Sequence, residues 1–226
     1  MVRAPIRVVS IPVTSRGLGL LGLASVGVIL LGMIVTAVPY RGYEGEAYSP
    51  LNHFISELGE IAASRLAWVF NLGIVLGGTG LGTFLLLLTS RVSGRFRPTL
   101  VVAGVAAGVS GALVGIFPMD YVGTHRLVSE IFFLSGWMVA GIFSWWLVAA
   151  PRPGFPRWLV VPGAAVVAVS LTFIADYATY VGTDPAGRIV NRPYFWTIPF
   201  LEWASLLGLL GWFVCVSVVL LREPVE

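Results

Sequence analysis

The sequence has 226 residues, of which 57% are hydrophobic and 11% charged, with a formal net charge of +3 and a mean hydropathy of +0.90. A soluble domain carries about 25% charged residues, and a chain of this length could not bury so much apolar surface in one core, so lipid must solvate most of it. The positive charge is all arginine, dispersed at the ends of apolar runs, which speaks for a membrane and against a nucleic-acid partner.

Residues 1–16 are interrupted by proline and carry Arg3, Arg7 and Arg16. The apolar run at 17–39 follows, long enough to cross a hydrocarbon core of about 30 Å at about 1.5 Å per residue. It is longer than the apolar part of a secretory signal and ends in Ala37-Val38-Pro39, so it reads as a span rather than a cleaved leader. A polar segment, Tyr40–Arg65, comes next. Its second half, from Ser49 to Glu60, reads as a short helix at the membrane interface with Ser49 or Asn52 as cap. Leu51, Phe54, Ile55 and Leu58 recur there at helical spacing and would face the lipid or the bundle, while His53 and Glu57 stand at i and i+4. Five more runs of spanning length fall at about 66–89, 98–119, 127–150, 158–182 and 194–221. The links between them are short, so successive spans run antiparallel and pack together. The expected fold class is all-α: a polytopic membrane helix bundle of six transmembrane helices, plus a short interfacial helix between the first and second, in a single membrane domain over 1–226.

Gly73, Gly77 and Gly80 form one stripe of small residues, and Gly104, Gly108, Gly111 and Gly115 a longer one; such stripes let helix backbones approach closely in lipid. Cys215 is the single cysteine, within an apolar run, so no intrachain disulfide and no cysteine metal cluster can form.

Counting arginines in the short loops gives the orientation. Arg3, Arg7, Arg16, Arg91, Arg95, Arg97, Arg152, Arg157 and Arg222 lie on one side; Arg41, Arg65, Arg126, Arg188 and Arg192 lie on the other. The expected location is the prokaryotic cytoplasmic membrane, multi-pass, with both termini cytoplasmic. The hairpin at 117–130, the His53 segment and the 183–193 loop then face outward.

Chemistry-bearing residues gather on that outward side. The fifth span carries Thr172, Asp176, Thr179, Tyr180 and Thr183, with Asp176 about 9 Å below its outer end, and the sixth carries Glu202 about 12 Å deep. A carboxylate at such depth costs about 2.5–3.5 kcal/mol on insertion scales unless it is paired, wetted or neutral. Both should therefore turn inward, towards each other, Arg126, His125 or a water-filled cavity. The expected pocket takes His53, Ser56, Glu57, Asn71, Glu130, Asp176, Tyr180 and Glu202 as ligand-binding residues. Ser56 or Ser129 beside a histidine and a carboxylate has the composition of a nucleophile–base pair, and His125, Asp120 and Ser129 are the catalytic candidates. His125, Asp120 and Asp176 carry the atom types of a zinc or other divalent metal site, although no histidine pair stands at i,i+4 and no H-E-x-x-H occurs. The plainer roles are that His125 bonds Asp120 or Glu130 to order the turn, and that Glu57 pairs with Arg65.

Three patches resemble a known family: Tyr48-Ser49-Pro50-Leu51-Asn52-His53-Phe54-Ile55-Ser56-Glu57-Leu58-Gly59; Asn71-Leu72-Gly73; and Val114-Gly115-Ile116-Phe117-Pro118-Met119-Asp120, with His125 and Ser129 after them. These are similar to the bacterial and archaeal membrane family catalogued as domain of unknown function nine-hundred-ninety-eight. The resemblance covers about residues 17–215 and implies six helices with no assigned activity. A fainter likeness is to membrane hydrolases related to alkaline ceramidases, which place a serine, an aspartate and three histidines around zinc; this chain departs from them in having two histidines.

The functional expectation is an integral membrane protein whose outward polar pocket binds, and can process, a lipid or other amphipathic molecule. The alternative is a non-catalytic accessory or scaffold subunit held among other membrane protein subunits. An ion-coupled transporter ranks third, because neither an inverted repeat nor a broken helix pair is visible.

Overall fold

The computed structural model describes residues 14–149, 155–180 and 192–223. Arg3, Arg7, Arg152, Thr183, Arg188 and the side chain of Tyr180 therefore lie outside the described residues. Six helices are long and apolar enough to cross a membrane: α1 (Ser15–Ala37), α2 (Ala67–Leu88), α3 (Phe96–Ile116), α4 (Val122–Ala149), α5 (Val160–Tyr180) and α6 (Thr197–Leu221). No strand occurs among the described residues. The protein is a multi-pass membrane protein.

Local chemistry sets the helix ends. Thr14 caps α1 by accepting the Gly17 amide at 3.1 Å. Pro118 disfavours helical backbone at Phe117, so α3 stops at Ile116. Hydropathy places the start of the fourth span near residue 127, but α4 begins at Val122. The polar turn Gly123-Thr124-His125-Arg126 is itself helical, which puts His125 and Ser129 one turn apart on the same helix.

Each helix packs on its neighbours in sequence, and α6 returns to α1, so the six form a closed ring. The α2–α3 seam is the tightest approach: a Cβ added at Gly108 would stand 2.5 Å from the Gly82 Cα. At one end of the ring, Arg91 donates to the Ser15 hydroxyl at 2.9 Å and meets Glu223 at 3.3 Å, joining the start of α1, the α2–α3 link and the end of α6. Above that end Phe143, Trp146, Phe155 and Trp212 form an aromatic cluster.

At the opposite end, residues 38–66 fold back over the ring. The short helix expected between the first and second spans is there as a five-residue 3-10 turn, Ile55–Gly59. It is buried: Ile55, Glu57 and Leu58 are each no more than 5% exposed. Phe54, Ile55 and Leu58 thus turn to the bundle. Asp120 pins this lid to the α3–α4 hairpin by accepting the amides of Ile61 at 2.8 Å and Ala62 at 3.2 Å.

Candidate functional site

The residues expected in one pocket separate into a buried polar latch, an outer hollow and a lateral cleft. The latch centres on Glu57, which is fully buried. Its carboxylate receives both Arg192 guanidinium nitrogens at 3.0 Å, the Phe54 amide at 2.8 Å and the Tyr40 hydroxyl at 3.3 Å. Arg192 comes from the stretch just before α6 and also donates to the Asn52 carbonyl at 3.1 Å. The partner of Glu57 is therefore Arg192, not Arg65. Arg65 is nearer in sequence, but the bidentate fork of Arg192 satisfies both carboxylate oxygens at once.

Aromatic rings enclose the latch. Tyr40, Tyr48 and His53 meet with centroids 5.1–5.6 Å apart. Trp203 of α6 donates to the Tyr48 hydroxyl at 3.0 Å, which in turn donates to the Phe54 carbonyl at 2.9 Å. Burial, and then the Glu57 charge, push the Tyr40 hydroxyl far above the usual tyrosine range. Burial also raises Tyr48, with Glu202 and Glu57 adding to it. Burial lowers the His53 imidazole, outweighing the opposing pull of Glu57 and Glu46. At the lid's rim, the hydrogen bond to Glu60 pushes Tyr43 up to about 12.

His53 borders the outer hollow, about 360 Å³, with Glu44, Glu46, Ser49, Asn52 and Arg192. Its Nε2 lies 3.5 Å from Glu46, and Glu46 lies 3.6 Å from Arg192. Asn71 contributes elsewhere, donating to the Gly59 carbonyl at 2.9 Å and so tying α2 to the end of the 3-10 turn.

The lateral cleft measures about 620 Å³ and lies between α4 and α5, closed behind by Glu202 of α6 and above by Phe54 and Ser56 of the lid. Phe133, Leu134, Phe173 and Ile174 make its apolar wall; His125, Arg126, Ser129, Glu130 and Tyr177 make its polar mouth. Arg126 pairs with Glu130 at 2.8 Å and lies 5.9 Å from the Tyr177 ring. Glu202 is 8% exposed and accepts the Ile55 amide at 2.8 Å. Ser56, Ser129, Phe133 and Glu202 also line a narrow cavity of about 70 Å³ inside the ring.

His125 bonds the Phe117 carbonyl through Nδ1 at 2.8 Å, rather than Asp120 or Glu130. Ser129 lies 3.4 Å from the other ring nitrogen. Asp120 stays out of the cleft because its two oxygens are engaged by the lid amides. Asp176 borders neither cavity. The cleft takes the stripe Phe173, Ile174, Tyr177 and Ala178 of α5, and Asp176 is turned about 100° from Tyr177 around the helix. One Asp176 oxygen is buried with no hydrogen-bond partner among the described residues. The trio His125, Asp120 and Asp176 is accordingly not assembled: among the described residues no three His, Cys, Asp or Glu side chains are grouped to hold a metal ion.

Sequence reasoning missed Arg192 as a site residue, along with the wall of Phe133, Phe173 and Phe54. In sequence Glu57 stands in a polar segment, and only its complete burial in the structure shows that it needs a cation. The aromatic wall gave none, because membrane spans are apolar on every side.

The family described as "Protein of unknown function (DUF998)" matches this chain over residues 27–219. Neither the curated proteins nor the solved structures contain a match.

Proposed function

The chain belongs to this family of unknown function, and we propose that it is an amphipath-binding protein of the prokaryotic cytoplasmic membrane. The lateral cleft takes a lipid, its chain against Phe133, Leu134, Phe173 and Ile174 and its head group among His125, Arg126, Ser129, Glu130 and Tyr177. The carrying observation is that gradation from apolar wall to polar mouth in a cleft of about 620 Å³. The size falls within the usual range of small-molecule sites, about 300–1,000 Å³. The arginine balance supports cytoplasmic termini and an outward cleft, since the more arginine-rich loops of a membrane protein stay inside.

The test is native mass spectrometry of the full chain released from membranes in mild detergent. The wild type should retain a lipid-sized adduct. Ala178→Trp and Leu134→Trp, which fill the cleft from α5 and α4, should lose it. A wild type without adduct, or variants that keep it, would overturn the proposal. A stoichiometric membrane subunit in place of the adduct would support the accessory-subunit role instead.

A further inference from the structure

The cleft holds a serine–histidine pair in which the serine does not make the usual helical back-bond. Serines and threonines within these helices ordinarily turn back on the carbonyl four residues earlier. Ser25 does so at 2.8 Å, Ser135 at 2.6 Å, Ser144 at 2.7 Å and Thr172 at 3.0 Å. That back-bond is the default for a hydroxyl in an apolar helix. Ser129 instead aims at the side chain four residues earlier, with Oγ 3.4 Å from His125 Nε2.

The other face of the ring fixes its tautomer. His125 Nδ1 lies 2.8 Å from the Phe117 carbonyl, and a carbonyl can only accept, so in the neutral ring Nδ1 carries the proton and Nε2 presents a lone pair. A histidine oriented through one nitrogen, with a hydroxyl at the other, is the arrangement that activates a serine. The distance is long for a hydrogen bond, as such contacts often are before substrate binds. His125 is buried, whereas Ser129 is half-buried and borders both the cleft and the inner cavity. Ser56 borders the same two spaces, and among the described residues its hydroxyl donates only to the Met119 thioether, at 3.6 Å. A thioether is a weak acceptor, so this donor is available to a developing oxyanion.

We propose that Ser129 and His125 are the nucleophile and general base of a hydrolase acting on the acyl ester of an amphipath held in the cleft, which rests on the binding role proposed above. Ser129 Oγ forms a bond to the ester carbonyl carbon and its proton passes to His125 Nε2. The tetrahedral intermediate collapses, the bond to the alcohol oxygen breaks, and His125 returns the proton to the departing alcohol. Water, entering at the polar mouth, gives its proton to His125 as its oxygen attacks the acyl carbon. Carboxylic acid leaves and Ser129 regains its proton. The ester carbonyl sits at the border of chain and head group, the depth at which the apolar wall meets Ser129.

The experiment labels the detergent-solubilised full chain with a long-chain fluorophosphonate and maps the modified peptide by mass spectrometry. Ser129 should be labelled in the wild type, and Ser129→Ala should abolish the signal. His125→Asn should slow labelling at least about 100-fold, the usual contribution of a positioned base; the asparagine amide can still donate to the Phe117 carbonyl. A burst of one p-nitrophenol per protein from a long-chain p-nitrophenyl ester is the second measure, and it needs no variant to fold. Labelling of Ser129 that is undiminished in a folded His125→Asn protein would overturn the proposal, as would a wild type without label or burst. Native mass spectra of the same preparation separate the two failures: adduct without labelling removes only the hydrolase, and absence of both removes the binding role as well.

Discussion

Removing the cation of the latch gives the most direct test of how the lid is held. In Arg192→Met the side chain keeps much of its length and loses its charge. Arg192 is 8% exposed and Glu57 is fully buried, so the modest values measured for surface ion pairs do not apply. The variant leaves Glu57 with the Phe54 amide at 2.8 Å and the Tyr40 hydroxyl at 3.3 Å, two neutral donors against a full charge. Breaking a buried pair by deleting one partner costs about 3–5 kcal/mol. For a chain of this size each kcal/mol lowers Tm by about 2–4 °C, so a fall of roughly 6–20 °C is expected. The assay is thermal unfolding in detergent, followed by intrinsic fluorescence. Glu57→Leu combined with Arg192→Met should recover most of the loss, because buried pairs replaced together by apolar groups are often neutral. If the single variant melts within about 2 °C of the wild type, or the double variant is no better than the single, Glu57 is not the buried charge that holds the lid.

Three further outcomes follow from the same geometry. Gly108→Ala brings a Cβ to 2.5 Å from the Gly82 backbone, so α2 and α3 must separate; the expected destabilisation is about 1–3 kcal/mol, and an unchanged Tm would refute the close approach. Burial holds His53 below its ordinary range, so the unfolded chain takes up a proton that the folded chain resists. Its contribution is complete above about pH 6.5 and is lost as the pH falls below it. Glu46, Glu57 and Arg192 are the charges that face it. Glu60, raised by burial, acts in the opposite sense but equally in both proteins. Tm should therefore fall more steeply between pH 7.5 and 5.5 in wild type than in His53→Gln, and equal slopes would contradict the assignment. Glu202→Gln keeps an acceptor for the Ile55 amide and should melt close to wild type. Glu202→Leu orphans that buried amide at a cost of about 1–3 kcal/mol, and equal melting of the two variants would show that the contact does not matter.

The spans were legible because lipid writes itself into composition: six apolar runs, the last five joined by short arginine-bearing links, leave little alternative to an antiparallel bundle. The start of α4 was not, since Thr124, His125 and Arg126 lower the local hydropathy without lowering helical tendency enough to stop the helix. Depth along a helix was readable from rise per residue, but the face was not. Asp176 and Tyr177 are consecutive, yet Tyr177 borders the cleft and Asp176 does not. A helix that is apolar almost all round carries too weak a periodic signal to say which side meets its neighbours.

The lid shows why latch and cleft merge into one pocket in the sequence. An amphipathic helix over 49–60 would have placed His53 and Glu57 on one face, and a single outward pocket followed from that. A tight 3-10 turn distributes consecutive residues differently: Phe54 and Ser56 border the cleft, Ile55 donates its amide to Glu202, and Glu57 enters the ion pair with Arg192. Four adjacent residues therefore touch the roof of the cleft, α6 and the stretch before α6. Such a turn cannot be swapped for a longer helix without losing one of these contacts, because 3.6 residues per turn would carry Glu57 back over His53. The buried carboxylate is what makes this costly, since its partner lies 135 residues away in sequence and reaches it only in this conformation.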